Sequence, residues 1–146
     1  MHIKSKPFGE IEIDERQRLY FPRGILGFEG LKDYALMDAT QPPFYWLQSL
    51  DVQDVAFILI EPRVFRPDYQ VSVPDSDLSE IGITAIDEML VFAIVTVPED
   101  HRQMTANLQG PVLINKSKRL ARQSISLDPQ WQVRHLILEE LARIRG

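Results

Sequence analysis

Met89-Leu90-Val91-Phe92-Ala93-Ile94-Val95-Thr96-Val97 is apolar along nearly its whole length, on both of the faces that an extended strand presents. A second stretch, Val55-Ala56-Phe57-Ile58-Leu59-Ile60, has the same character. Strands of an antiparallel sheet with one wet side alternate apolar and polar residues, so these two require cover on both faces. A helix of the same chain, its long turn segments or a partner protein would supply that cover. The pair is therefore the strongest physical pointer to an interaction surface.

Working outward, Phe8-Gly9-Glu10-Ile11-Glu12-Ile13-Asp14 alternates strictly, with Ile11 and Ile13 on one face and three carboxylates on the other. It reads as a half-exposed strand whose charged face discourages edge aggregation. Further strands are predicted at 18–21, 33–38, 44–49, 55–61, 69–73, 89–97, 105–115 and 122–127, punctuated by Pro and Gly. The plan is all-β, a sandwich or a small antiparallel barrel. Residues 74–82, with an acidic first turn and a terminal Gly, predict a short helix near 75–81. Toward the end of the chain, Asp128 as N-cap with Pro129 at N1 would open an amphipathic helix striped by Val133, Leu136, Ile137, Leu141 and Ile144. The alternative is that residues 131–135 first complete the sheet as a strand; both readings share a C-terminal helix from about Leu136.

The chain has 146 residues, 45% hydrophobic and 25% charged, which fits one domain spanning 1–146. It holds no cysteine, so disulfide frameworks, thiolate metal sites and Cys nucleophiles are excluded, and a reducing compartment, the cytoplasm, is the expectation. No signal-peptide pattern opens the chain and the longest apolar run is too short to span a bilayer, so neither export nor membrane insertion is expected. The net charge of −5 argues against broad nucleic-acid binding. It conceals an asymmetry: residues 74–100 carry seven acidic and no Lys or Arg side chains, and residues 101–127 carry five Lys or Arg and no acidic ones. The two runs read either as solvated faces or as a steering surface for a charged partner.

Chemical motifs are few. His2, His101 and His135 sit far apart and match no local metal spacing, so no metal or cofactor is predicted. Gly24-Ile25-Leu26-Gly27-Phe28-Glu29-Gly30 lacks the Lys-Ser/Thr of a phosphate loop and reads as turn glycines entered from Pro22. Ser124, Ser126, Asp128 and His135 are near one another only along the chain, and no nucleophile elbow accompanies them. Lys116, Lys118, Arg119 and Arg122 form a basic run without interleaved aromatics, which reads as a charged hairpin tip or, alternatively, as the contact of an OB-like nucleic-acid-binding module. A hydrolase or lyase would need a pocket holding His101 or His135 beside carboxylates.

Several segments in series resemble the flagellar assembly factor family FliW. They are Phe8-Gly9-Glu10-Ile11, Phe21-Pro22-Arg23-Gly24-Ile25-Leu26-Gly27-Phe28-Glu29, Phe44-Tyr45-Trp46-Leu47-Gln48-Ser49, Tyr69 to Asp75 with its Val-Pro-Asp, Ile94-Val95-Thr96-Val97-Pro98, and Thr105-Ala106-Asn107-Leu108-Gln109-Gly110-Pro111-Val112-Leu113-Ile114-Asn115. Gly110 stands where the resemblance leads one to expect Ala, and the resemblance ends near His135. It implies a small β-barrel-like fold without catalysis, in a cytoplasmic protein that binds flagellin and the RNA-binding regulator CsrA. By that resemblance, accumulating flagellin occupies the protein and leaves CsrA free to repress flagellin translation; export releases the protein to bind CsrA. The two partners then compete in a linked equilibrium.

Candidate contacts follow from charge and aromaticity. The acidic residues Asp75, Asp77, Glu80, Asp87 and Glu88 are candidates for steering toward CsrA, whose RNA-binding surface must be basic. For flagellin, whose terminal regions in the family are amphipathic helices, an apolar groove is the expected receptor, with Phe28, Phe44, Trp46 and Tyr69 as anchors. No direct nucleic-acid or membrane contact is expected, and the free protein is expected to be a monomer because its charged outer strand faces blunt one edge.

Overall fold

The computed structural model describes residues 1–145. In chain order the strands are β1 (His2–Ser5), β2 (Gly9–Glu12), β3 (Arg18–Tyr20), β4 (Asp33–Asp38), β5 (Phe44–Ser49), β6 (Ala56–Ile60), β7 (Met89–Thr96), β8 (Thr105–Ala106), β9 (Val112–Asn115), β10 (Ala121–Gln123) and β11 (His135–Leu136). The α-helices are α1 (Asp75–Glu80) and α2 (Ile137–Arg145). β1 and β2 form a separate hairpin, and the other strands form one antiparallel sheet ordered β10-β9-β7-β6-β5-β4-β3, with β8 and β11 flanking the end of β7. The sheet curls until β3 reaches the turn before β10. There the Tyr20 N–H donates to the Arg119 carbonyl at 3.0 Å, and Tyr20 and Leu120 make a lone parallel bridge. The result is barrel-like, closed at one point instead of by a full ladder.

Strand alternation separates an interior from an outer face. Cross-strand partners Leu36 and Leu47, Tyr45 and Leu59, Leu59 and Ile94, Phe92 and Val112, and Ile114 and Ala121 all point inward. They pack with Leu19, Phe21 and Tyr34, the last two rings meeting edge-on at 5.0 Å. Full burial of such side chains contributes roughly 1.5–3 kcal/mol each.

The second face of the doubly apolar strands is covered by the chain itself. Ile3, Ile11 and Ile13 of the hairpin segment lie over Ala35, Met37 and Trp46. Phe65, Tyr69, Trp131 and Ile137 lie over Ile60, Ala93 and Val95. Val71, Val73, Leu78, Ile81 and Ile83 lie over Leu113, Met89 and Val91. α1 ends as its terminal glycine predicts: Gly82, at φ +73°, donates to the Ser79 carbonyl and Ile83 donates to that of Leu78, the paired bonds of a Schellman stop.

Several expectations are corrected. Residues 69–73 form no strand; their apolar side chains dress the sheet's outer face while their backbone stays off the ladder. The predicted strand 105–115 is two strands separated by a turn in which the Asn107 side chain accepts from the Gly110 N–H at 2.8 Å. The strand predicted at 122–127 is β10, which ends at Gln123, well short of Leu127. Asp128 caps a turn, not a helix, accepting from the Gln130 N–H at 3.1 Å. Of the alternatives at the end of the chain, neither holds over residues 131–134, which are neither strand nor helix; a two-residue strand, His135–Leu136, pairs with β8, and the C-terminal helix common to both readings, α2, starts directly after it. The strand β1 went unpredicted, and Asp14 serves as the N-cap of the 3-10 turn Glu15–Gln17.

Candidate functional site

β5 and β6 turn Phe44, Trp46 and Ile58 outward, with Trp46 and Ile58 directly opposite each other across the ladder. The hairpin and the cover over the next stretch of sheet stop short of meeting there, and the gap is an open cleft of about 480 Å³. Phe8, Val97 and Met104 complete its apolar walls, and Gln41 and His101 stand among its few polar residues. No carboxylate lines it. Phe8 and Val97 are 41% and 42% exposed, so the cleft displays apolar surface that a water-facing sheet would ordinarily hide.

Of the four aromatic candidates, Phe44 and Trp46 come together here. Tyr69 is corrected: it is 2% exposed, packs with its ring tilted against Trp131 at 4.7 Å, and donates its hydroxyl to the Leu108 carbonyl at 3.0 Å, so it is core. Burial pushes its phenol up to about 12. Phe28 lies outside the cleft and meets Phe57 edge-on at 5.2 Å. The cleft residues Phe8, Ile58, Val97 and Met104 were not singled out in the sequence; Ile58 and Val97 carried a signal, since they belong to the strands that needed cover on both faces.

The acidic candidates divide. Arg122, from the basic run, is bracketed by Glu80 at 2.8 Å and Asp77 at 3.4 Å, and Glu80 also takes a hydrogen bond from Arg23 at 2.6 Å. Arg23 first, and then the charge of Arg122, hold the Glu80 carboxyl below its ordinary range. Glu88 accepts from the Thr84 hydroxyl at 2.7 Å and the Ala85 N–H at 2.9 Å, closing the 3-10 turn Ile86–Glu88. Asp75 and Asp87 are exposed and, among the described residues, have no ion pair. The acidic and basic runs therefore partly neutralise each other inside the fold, contrary to the expectation of two separate faces.

The same pairing removes Arg122 from the basic run as a free contact. Arg119, at φ +57°, is partly buried, and burial lowers its pKa. Lys116 and Lys118 remain exposed on the turn between β9 and β10. The histidines stay apart. His2 pairs with Glu12 at 3.0 Å, and His101 borders the apolar cleft. His135 is buried; its Nε2 accepts from the Gln132 N–H at 2.9 Å, so its Nδ1 donates to Glu140 at 3.0 Å. Glu140 also binds Arg66 at 2.7 Å, and Arg66 lies 4.6 Å above the Trp131 ring. Both imidazole nitrogens are spent on holding α2 and the segment before it in place. Among the described residues no cluster of His, Asp and Glu is arranged to hold a metal ion, and no helix is long and apolar enough to cross a membrane.

A curled β sheet clad by its own loops, with apolar surface left open between them, is the class of protein that this geometry defines. Comparison with known proteins makes the assignment particular. The sequence model of the family described as FliW protein matches residues 2–137. A flagellar assembly factor FliW from Treponema denticola is 45% identical over 141 residues, covering 97% of this chain and 96% of that one. One from Leptospira interrogans is 46% identical over 144 residues, with 97% and 96% covered. A crystal structure of the flagellar assembly factor FliW superposes with a TM-score of 0.87 at 34% identity, over 94% of this chain and 96% of that one. The chain belongs to the FliW family of flagellar assembly factors.

Proposed function

We propose that this protein binds flagellin and the translational regulator CsrA in exchange, so that the amount of unassembled flagellin sets how much of it is free to relieve CsrA repression. The observation that carries the reading is the open cleft built on Phe44, Trp46 and Ile58. An amphipathic helix lays apolar residues spaced three and four apart into such a groove, and flagellin's terminal helices are the family's expected occupants. Asp75 and Asp87, exposed and without an ion pair among the described residues, are the contacts proposed for CsrA. In this reading the protein is a cytoplasmic monomer when free, and it performs no catalysis.

The test is calorimetric titration of the purified protein with flagellin and with CsrA, separately and then together. The reading requires that each binds and that flagellin lowers the apparent affinity for CsrA; the reciprocal effect must have the same size, because the coupling is a property of the linked equilibrium. If neither binds at low or moderate salt, the exchange reading fails for this chain while its family membership stands.

A further inference from the structure

β7 is paired on both sides only over its second half. Toward β9 its pairs run from Met89 and Asn115 to Phe92 and Val112, whereas toward β6 they run only from Ala93 and Ile60 to Val95 and Ile58. The bond directions are fixed by neighbours: the Glu88 carbonyl accepts from the Lys116 N–H and the Ile94 carbonyl from the Asn107 N–H, both at 2.9 Å. Even-numbered residues of β7 thus direct their backbone groups toward β8 and β9, and odd-numbered ones toward β6. Extending the β6 ladder by two residues sets Pro62 opposite Val91. Pro62 has no N–H, and its carbonyl already accepts from Phe65 at 3.2 Å and Arg66 at 2.9 Å as the chain turns away through Pro62–Val64. Among the described residues the Val91 N–H and C=O have no partner, and the Met89 C=O has none beside them; the Met89 N–H is taken by the Ile86 carbonyl.

These groups open onto a groove of about 490 Å³ walled by Tyr69, Val71, Ile86 and Met89, with Glu61 and Arg63 at one end. Ile86 is 83% exposed. The rim is acidic on balance. Among the described residues the Glu61 side chain has only the Tyr45 hydroxyl as a partner, Asp87 stands beside Ile86, and Asp75 lines the adjoining hollow that shares Ile86 and Met89. Arg63 is the single cation, and its Nε–H donates to the Tyr69 carbonyl at 3.2 Å.

We propose that the free edge of β7 at residues 89–92 is a docking slot for an extended segment of a partner protein, apolar at alternate positions and Lys- or Arg-bearing between them, which adds as a strand by bonding to the Val91 backbone. Unpaired edges are normally blunted by charge, proline or a covering element. Here proline has instead ended the neighbouring strand and left the edge beside it open, and an added strand gains main-chain bonds from the edge and selectivity from the pocket and rim. Four residues of strand are about 13 Å long, enough for a segment of four to five residues. The groove shares no lining residue with the Phe44 and Trp46 cleft, so the inference does not rest on flagellin binding there, although its rim includes Asp75 and Asp87, the contacts proposed above for CsrA.

The test uses the intact protein, isotopically labelled, and a capped seven-residue peptide alternating lysine and valine. Controls are the same peptide N-methylated at alternate residues and a version with glutamate for lysine. Binding should shift the amide resonances of residues 89–92 and slow hydrogen exchange at the Val91 N–H. N-methylation and the glutamate exchange should each weaken binding by about tenfold or more. Ile86→Glu, at an exposed position that leaves the core alone, should weaken it while the spectrum elsewhere is unchanged. Equal binding of the N-methylated peptide, no perturbation at 89–92, or perturbation confined to the Phe44 and Trp46 cleft would each overturn the proposal.

Discussion

The Arg122 guanidinium lies 2.8 Å from the Glu80 carboxylate, 42 residues earlier in the chain, and so ties the hairpin of β9 and β10 to α1. Both side chains are largely withdrawn from water, at 15% and 25% exposure, which raises the worth of the contact above that of a surface pair. Glu80→Gln leaves Arg122 with Asp77 at 3.4 Å as its remaining counter-charge. A loss of roughly 2 kcal/mol is expected, read as a lower midpoint of urea unfolding at pH 7.

That pair also sets a pH dependence. Glu80 and Asp68 both titrate below their ordinary values, of 4.5 and 3.8, held down by Arg23 and by Arg66 respectively. A carboxyl whose folded pKa is lowered stabilises the fold above its unfolded value, and loses that contribution as pH falls through the folded one. Stability should therefore be level from neutral pH to about 5 and fall below about 4.5. In Glu80→Gln the fall should be shallower; an unchanged acid limb would remove Glu80 from the account.

The turn glycines separate by backbone demand. At Gly24, with φ +67°, an added Cβ would sit 2.6 Å from the Glu29 Cα and 2.7 Å from its carbonyl oxygen. Gly30 has an ordinary φ and open space around it. Gly24→Ala should cost about 2 kcal/mol or more, and Gly30→Ala less than about 0.5 kcal/mol, in thermal unfolding of the two variants.

Inside the curled sheet the Tyr34 hydroxyl is buried with no hydrogen-bond partner among the described residues, and burial first, then the charge of Asp51, pushes its pKa up to about 12. Tyr34→Phe keeps the edge contact with Phe21 and removes the unsatisfied oxygen. The variant should be as stable as the parent or about 1 kcal/mol more so, by urea unfolding; a loss would mean that the hydroxyl has a partner in solution.

Trp46 and Trp131 are the only tryptophans, and Trp131 is 1% exposed in the core. A fluorescence change on adding flagellin should come from Trp46 and vanish in Trp46→Phe. Trp46→Ala should weaken flagellin binding tenfold or more, on the scale of an aromatic anchor at about 2 kcal/mol, without a comparable effect on CsrA.

The strands β4 and β5 were legible to the residue, because Gly30 precedes the first, Pro42-Pro43 separates the two, and both runs are rich in apolar and aromatic residues. Residues 69–73 misled because Tyr69, Val71 and Val73 alternate as a strand's would. The alternation reflects contact with an apolar sheet face, which imposes the same period on a segment that forms no ladder. For the same reason Tyr69 could not be told from Phe44 by composition: both are aromatics in a β-like context, and only the arrival of Trp131 from the far end of the chain buries one of them. The cleft draws its lining from the first hairpin, β5, β6 and the connection after β7, so no local window of sequence holds it. Likewise the pairing of Arg122 with Asp77 and Glu80 depends on the sheet order that sets β9 and β10 beside α1.

The circumference of the sheet is completed by the bridge between Tyr20 and Leu120 and by no ladder. A wall closed by no ladder has a seam, crossed there only by side-chain contacts such as that of the Leu26 N–H with Gln123 and by the Tyr20 bridge, and the seam should part first under load. Separating β3 from the turn before β10 would unroll the wall without sacrificing a single strand pairing, and would wet Leu19, Phe21 and Ala121 ahead of the rest of the interior. Under mechanical tension or in mild denaturant the molecule should open in a set order, lengthwise along that line.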